Sequence, residues 1–232
     1  MANRIHPTAI IGDGVELGDD NVIGPYTVIA GPARIGNGNW IGPHVSIGGP
    51  AEYLRGAHPV GWEGEVEGPG VVIGDGNKIR EFVTVNQGVH EPTRVGDDCY
   101  VMGRAHVAHD CTIDDGVILT SAVQVAGHCH VWAGSNIGLG TVVHQRTVIG
   151  PGAMVGMGSA IRKEVGAFTI TLGNPARTSG INVVGLQRRG CDEDAIAALQ
   201  GFLTGKDSEV PAGLPDEVAA LLKAWADRAP QD

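Results

Sequence analysis

Histidines are the residues of this chain best suited to chemistry near neutral pH. The chain has nine, and five of them fall in one short stretch, namely His106, His109, His128, His130 and His144. Because imidazole titrates at about pH 6.5, a histidine can serve as a general base or as a metal ligand. For any single histidine, an outward-facing position without a chemical role is the alternative.

His109 and Asp110 form the most suggestive pair, inside the stretch GRAHVAHDCTI. A neutral imidazole held by a carboxylate can take the proton from an acceptor hydroxyl, as acyl transfer requires. The same reaction needs N–H donors for the developing oxyanion. The pair is therefore a candidate base, provided that the local turn lets the two side chains meet.

A six-residue repeat of aliphatic side chains predicts the elements that position these residues. An α-helix has a period of about 3.6 and a strand a period of about 2, so neither explains it. In a β-solenoid each hexad supplies one short strand and one turn, and three hexads make a triangular coil whose strands pair in parallel with the next coil. The repeat runs through Ile5, Ile11, Leu17, Ile23, Ile29, Ile35, Ile41 and Ile47, then Ile73, Ile79 and Val85, then Val95, Val101, Val107, Ile113, Leu119, Val125, Val131, Ile137, Val143, Ile149, Val155 and Ile161.

The residue two places before each aliphatic side chain of the last run is small, which fits a crowded prism interior. These residues are Thr93, Cys99, Ala105, Cys111, Val117, Val123, Cys129, Ser135, Thr141, Thr147, Ala153 and Ser159. The pattern makes Cys99, Cys111 and Cys129 core residues rather than catalytic or metal-binding ones. Cys191 lies outside the repeat and receives no predicted role.

The repeat also divides the chain. We predict a β-helix over residues 1–164, an extended segment over 165–190 and a short helical appendage over 191–232. Two stretches interrupt the period, at about 48–72 and 87–92. Long loops in a regular solenoid are often functional, although a tolerated surface insertion is the alternative.

Composition excludes some partners. The formal net charge is −10, so nucleic acid is not an expected ligand, because phosphate binding needs a surplus of basic residues. The first residues contain no continuous apolar run, so we expect neither a signal peptide nor a membrane-spanning segment there. Four cysteines in no paired motif agree with a reducing compartment, and we expect a cytoplasmic protein.

The charge is unevenly distributed along the chain. Residues 162–190 carry five basic side chains and one acidic side chain, within an otherwise acidic protein. Such a basic segment indicates an anionic ligand or partner. Salt bridges to the acidic appendage are the alternative.

Spacing argues against one known metal site on this scaffold. The γ-class carbonic anhydrases use the same β-helix and bind zinc with three histidines, two of them five residues apart and another about 36 away. No two histidines of this chain are 5 or 36 residues apart. We therefore expect that these histidines do not bind a metal ion.

Longer stretches of the chain resemble UDP-N-acetylglucosamine O-acyltransferases, the first enzymes of lipid A synthesis. The likeness runs through IHPTAIIGDGVELG, IGDGNKIREFVTVNQG, AHVAHDCTI, VAGHCHV, VVHQRTVIGPGAMVG and GINVVGLQRRG. The resemblance implies a left-handed coil, a homotrimer with sites between neighbouring coils, and no cofactor. It also implies transfer of a 3-hydroxyacyl chain from acyl carrier protein to the 3-hydroxyl of the nucleotide sugar.

The resemblance further implies roles for individual residues. His109 would be the general base, Asp110 would orient it, and Gly127 would offer its N–H to the thioester carbonyl. The sugar and phosphate would be lined by Asp75, His106, His128, His144 and Gln145, and the nucleotide held by Asn182, Arg188 and Arg189.

Some positions depart from the family pattern. Val184 stands where an acidic residue is common, and Arg146 where an aromatic is common, which affects the expected preference for uridine. Pro175 stands where a histidine is often found. Met157 stands where the family has glycine along the acyl groove, and its bulk predicts a shorter acyl chain, about ten carbons or fewer, unless it merely fills the core.

Two other functions remain open at this stage. One is N-acylation of an amino-sugar nucleotide with the same base. The other is a non-catalytic β-helix that binds a nucleotide sugar or serves as a scaffold.

Overall fold

The computed structural model describes residues 1–56, 58, 68–207 and 209–228, and these residues build a three-sided prism of short strands. Sheet A contains β1 (Arg4–Ile5), β4 (Val22–Ile23), β7 (Trp40–Ile41), β10 (Lys78–Ile79), β13 (Tyr100–Val101), β16 (Ile118–Leu119), β19 (Asn136–Ile137), β22 (Met154–Val155), β24 (Thr169–Gly173) and β25 (Ala176–Ile181). Sheet B contains β2 (Ile10–Ile11), β5 (Val28–Ile29), β8 (Ser46–Gly49), β11 (Thr84–Asn86), β14 (His106–Val107), β17 (Gln124–Val125), β20 (Val142–Val143) and β23 (Ala160–Ile161). Sheet C contains β3 (Val15–Leu17), β6 (Ala33–Ile35), β9 (Val71–Ile73), β12 (Thr93–Val95), β15 (Thr112–Ile113), β18 (His130–Val131) and β21 (Val148–Ile149).

The register stacks the coils directly on one another. His106 pairs with Gln124 and Gln124 with Val142, so one uninterrupted coil takes 18 residues. Pairing is parallel throughout, except between the hairpin strands β24 and β25. The predicted fold class, a left-handed parallel β-helix with a helical appendage, is confirmed.

The interior matches the hexad pattern. The aliphatic positions from Ile23 to Ile161 are at most 3% exposed, and the small residues beside them are buried as well. Burial of each such aliphatic side chain contributes about 1.5–3 kcal/mol. Ile5 is 42% exposed, because no described coil covers that end of the prism.

The three repeat cysteines are core residues, as predicted, and Cys191 is buried under the appendage. Burial raises the pKa of the Cys99 thiol to about 12. The Cys99 thiol therefore stays protonated near neutral pH and is a poor nucleophile.

Three helices follow the coils: α1 (Val183–Arg188), α2 (Glu193–Leu203) and α3 (Asp216–Asp227). The Asn182 side chain caps α1 and the Asp192 side chain caps α2, each accepting a backbone N–H three residues on. The helices pack through a second apolar cluster onto the last coils. None of the helices in the described ranges is long and apolar enough to cross a membrane.

The segment 165–190 differs from the prediction. We expected an extended chain throughout, but the structure has the β24–β25 hairpin followed by α1. The prediction was wrong for 183–188, where the Asn182 cap and burial of Leu186 favour a helical turn. The 87–92 interruption is a loop between β11 and β12, and the predicted 48–72 insertion begins after β8, with residues 57 and 59–67 outside the described ranges.

Candidate active site

The corner between sheets B and C gathers most of the predicted site residues. Three successive coils turn here at His109–Asp110, Gly127–His128 and Gln145–Arg146. Asp110, His128 and Arg146 all have left-handed backbone, with φ of 55°, 61° and 60°. The same left-handed turn recurs at other corners of the prism, for example at Tyr26 and Ala122, so it is a feature of the coil rather than of this corner alone.

His109 and Asp110 do meet at this corner. His109 Nδ1 lies 2.6 Å from Asp110 Oδ2, and the His109 side chain is 11% exposed. A carboxylate accepts hydrogen bonds only, so Nδ1 must donate and Nε2 carries the free lone pair. The rings of His128 and Tyr53 pack edge-on against His109, with centroids 5.1 and 6.1 Å away. The His109 imidazole is therefore oriented by Asp110 and largely shielded from solvent.

Asp110 is fully buried and anchored by its neighbours. The backbone N–H groups of Val89, His90 and Glu91 donate to Oδ1 at 3.1, 2.7 and 2.9 Å. Burial alone would raise the pKa of Asp110, but these donors and His109 outweigh it and lower the pKa to about 2. Asp110 is therefore ionised throughout the physiological range.

This low pKa predicts acid-dependent stability. A carboxyl whose pKa falls from 3.8 to about 2 on folding stabilises the protein above pH 3.8, and that contribution is lost as the pH falls toward 2. Asp110→Asn should therefore lower the free energy of unfolding less at pH 2.5 than at pH 6, and the difference should be about 2 kcal/mol. Urea unfolding of wild type, Asp110→Asn and the exposed-site control Asp13→Asn measures this, and a difference that stays constant with pH would contradict it.

Gly127 lies directly against His109 in the next coil. A Cβ at Gly127 would be 2.7 Å from His109 Cε1 and 2.8 Å from Nε2, so any side chain there would have to displace the imidazole. Its carbonyl accepts from Arg146, whereas its N–H has no acceptor among the described residues. Gly127 thus leaves room for the imidazole and keeps an N–H unused beside it.

The remaining histidines flank this corner. His106 lies on sheet B, where its Nδ1 is 2.7 Å from Thr84 Oγ1, and burial lowers its pKa. Burial also lowers the pKa of His128, against the raising effect of Asp110. His144 and Gln145 are exposed on the following coil. Beside the corner, a cleft of about 290 Å³ is lined by Glu91, Asp110, Thr112, His128, Cys129, His130 and Arg146.

The same corner also brings together three side chains of types that can bind a metal. Donor atoms of His109, Asp110 and His128 lie within 4.8 Å of one another. Asp110, however, already accepts three backbone N–H bonds and one from His109. Metal binding would have to compete with these bonds, so the donor set fits a hydrogen-bonded imidazole–carboxylate pair better than a metal ligand set.

Asp75 lies elsewhere, at the corner between sheets C and A. Its Oδ1 accepts the backbone N–H of Asn37, and its own N–H donates to Asp97 Oδ1. Within one chain Asp75 therefore belongs to a series of hydrogen bonds that links adjacent coils at this corner, and it does not contact His109.

The predicted nucleotide-binding residues also lie away from His109. Asn182 donates to the Gly152 carbonyl while its Oδ1 caps α1. Arg189 pairs with Glu217 at 3.1 Å and stacks on the Phe168 ring. Arg188 is exposed. Two of these three side chains already have structural partners.

Met157 sits at the corner between sheets A and B and is 74% exposed. It does not fill the core, so that alternative is wrong. Its predicted role along an acyl groove stays a prediction.

Sequence reasoning missed several neighbours of the base. The backbone of loop 87–92, Tyr53 and Thr84 all reach the site from other coils. Only the stacking of coils brings them there, so no local motif could have identified them.

A parallel β-helix that holds an imidazole–carboxylate pair at one corner defines a hexapeptide-repeat protein equipped for acid–base chemistry. A family profile described as UDP N-acetylglucosamine O-acyltransferase, domain 2, matches residues 165–203. A Moraxella catarrhalis UDP-N-acetylglucosamine O-acyltransferase structure is 31% identical, with 96% of this chain and 94% of that chain covered and a TM-score of 0.75. A Campylobacter jejuni UDP-N-acetylglucosamine acyltransferase structure is 30% identical over 95% and 90% of the two chains, with a TM-score of 0.72. The chain belongs to the UDP-N-acetylglucosamine O-acyltransferase family.

Curated relatives carry a matching name. Acyl-[acyl-carrier-protein]–UDP-N-acetylglucosamine O-acyltransferase of Burkholderia mallei is 44% identical over 133 residues, 56% of this chain and 51% of the relative. The protein of that name from Synechocystis is 42% identical over 144 residues, 61% and 52% of the two chains. In these alignments the chain spans about half the length of the curated relatives it matches.

Proposed function

We propose that the protein transfers a 3-hydroxyacyl chain from acyl carrier protein to the 3-hydroxyl of UDP-N-acetylglucosamine or a related nucleotide sugar. The names of its relatives support the substrates. The observation that carries the mechanism is the 2.6 Å contact between His109 Nδ1 and Asp110, which leaves Nε2 as the base. The protein's buried, unpaired cysteines are consistent with a cytoplasmic setting.

The chemistry follows from the corner. His109 Nε2 takes the proton of the acceptor hydroxyl as the hydroxyl oxygen attacks the thioester carbonyl carbon. The Gly127 N–H donates to the oxyanion of the tetrahedral intermediate. The intermediate then collapses, the C–S bond breaks, and the imidazolium returns its proton to the departing thiolate. Asp110 orients the ring and stabilises its charged form.

One experiment tests the proposal and its main rival together. The protein is incubated with a panel of acyl carrier thioesters and with nucleotide sugars that carry either a hydroxyl or an amine at the acceptor carbon. Mass spectrometry should detect the O-acyl product. N-acylation alone would replace the proposal by the amino-sugar alternative, and absence of any product from the panel would favour a non-catalytic binding protein.

A homotrimer would complete this site. His109 and Asp75 lie at different corners of one chain, so a neighbouring copy would have to bring the Asp75 carboxylate and the nucleotide-binding segment to the base. Exposed apolar side chains on one corner support such contacts. At the corner between sheets A and B, Tyr26 and Phe82 stack on either side of His44, with centroids 5.1 Å apart, and are 60% and 50% exposed.

Light scattering checks this assembly. The wild type should have three times the chain mass, and Phe82→Asp should lower the mass, because a charge would be buried in the contact. Leu54→Asp, at a fully exposed loop position, is the control and should keep the trimer. A monomeric wild type would refute the assembly.

Met157 is proposed to limit the acyl chain. Its exposed side chain would stand in a groove beside the sheet A–B corner. Met157→Gly should shift the preferred chain upward by about two carbons or more, since a buried methylene pair is worth about 1.6 kcal/mol. Competition between carrier thioesters of different lengths, read by mass spectrometry, measures the shift. An unchanged preference for acyl-chain length would mean that Met157 does not limit the groove.

A further inference from the structure

Loop 87–92 approaches Asp110 with its backbone. Three consecutive N–H groups, from Val89, His90 and Glu91, converge on Oδ1 of Asp110, and the Val89 N–H also lies 3.2 Å from Oδ2. His109 holds Oδ2. Successive backbone N–H groups of this kind form an anion-binding nest. Here the anion is a side chain of the protein itself.

Gly88 is the residue that lets this loop close. A Cβ at Gly88 would lie 1.6 Å from the Glu91 carbonyl oxygen and 3.2 Å from Asp110 Oδ1. Its φ lies outside the left-handed region, so the obstacle to a side chain is steric rather than torsional. Any larger residue must open the loop and move the three donors.

We infer that loop 87–92 is a positioning device, which fixes the Asp110 carboxylate and, through it, the His109 imidazole, with Gly88 as its positioning residue. The inference rests on the proposed function for its effect on turnover. The nest itself needs no substrate and can be measured without one.

The physical reason lies in the burial of Asp110. Its side chain is 0% exposed, so an ionised carboxylate there is unfavourable without hydrogen-bond donors. Backbone N–H groups in a closed loop provide those donors with little reorganisation during the reaction. Without them Asp110 would gain a proton more readily, hold His109 less firmly and stabilise the imidazolium less.

Gly88→Ala tests the nest. Carboxyl carbon NMR should show the pKa of Asp110 rising by at least about one unit. The kcat for acyl transfer should fall about tenfold or more with little change in KM, since only the base is displaced. Gly213→Ala, a glycine with φ +80° and open surroundings between α2 and α3, controls for a general loss of stability. A folded Gly88→Ala protein with unchanged Asp110 titration would overturn the inference.

Amide hydrogen exchange provides a second test that does not depend on the folding of Gly88→Ala. In Asp110→Asn the charge that holds the loop is gone, so the amides of Val89, His90 and Glu91 should exchange about tenfold faster or more. In His109→Ala the carboxylate remains and these amides should stay protected. Equal exchange in both variants would contradict an anion-specific nest.

The two proposals can fail separately. If titration and exchange behave as expected but no acyl product forms, the nest stands and the acyl-transfer proposal fails. If acyl product forms while Asp110 titration and loop exchange are indifferent to these substitutions, the acyl-transfer proposal stands and the nest fails.

Discussion

His109→Ala is expected to lower kcat for the proposed acyl transfer about a thousandfold while the fold survives, because it removes the proposed general base. The side chain contacts its neighbours at a corner and contributes nothing to the aliphatic interior. The apparent KM for the nucleotide sugar should change far less than kcat. Steady-state kinetics with product detection by mass spectrometry measures both.

A matched control separates chemistry from general damage. His6→Ala removes an exposed imidazole of the first coil, whose only side-chain partner among the described residues is Thr8, and should leave turnover unchanged. Circular dichroism should show the same β signal for wild type and both variants. If His109→Ala turns over at the wild-type rate, another group is the base and the proposed mechanism is wrong.

Gly127→Ala should be the second most damaging change at the site. The added methyl would lie 2.7–2.8 Å from two atoms of the His109 ring, closer than carbon atoms approach in proteins. The ring must therefore move, and a displacement of about 1 Å in a reacting group can cost a hundredfold in rate. Because the imidazole is retained and only its position changes, the variant tests the geometry of the site separately from the identity of the proposed base.

The control for this variant is Gly205→Ala. Gly205 lies beyond α2, has φ of +73° and has nothing within 4 Å of its Cβ position, so only local backbone strain should result. NMR of the histidine rings would show whether the His109 resonances shift in Gly127→Ala alone. Full activity in Gly127→Ala would mean that the close packing of Gly127 against His109 does not matter for catalysis.

Several features could be predicted from the sequence because they depend on local periodicity. A six-residue repeat sets one strand and one turn each time, so the aliphatic positions, the small residues beside them and the three core cysteines followed directly. The adjacency of His109 and Asp110 was also local, since one turn brings their side chains together. The helical appendage was predicted as well, and it contains α2, which the Asp192 side chain caps, and α3, which has no side-chain cap.

Other features depend on which coils lie next to each other, and the sequence could not decide them. Nucleotide binding by Asn182 and Arg189 stays a prediction, and the folded chain adds that Asn182 caps α1 and Arg189 pairs with Glu217. The role of Asp75 at the sugar and phosphate also stays a prediction, and the fold places Asp75 at a different corner of the same chain from His109.

The sequence by itself thus determined the scaffold and the identity of the candidate base. Only the tertiary structure decided how that base is held, because the donors to Asp110 come from a loop about 20 residues earlier. The physical reason is that a repeat fixes spacing along the chain only. The hydrogen-bond partners of a side chain come from the adjacent coil, and the repeat does not specify them. An insertion such as 87–92 changes that neighbour without changing the period on either side.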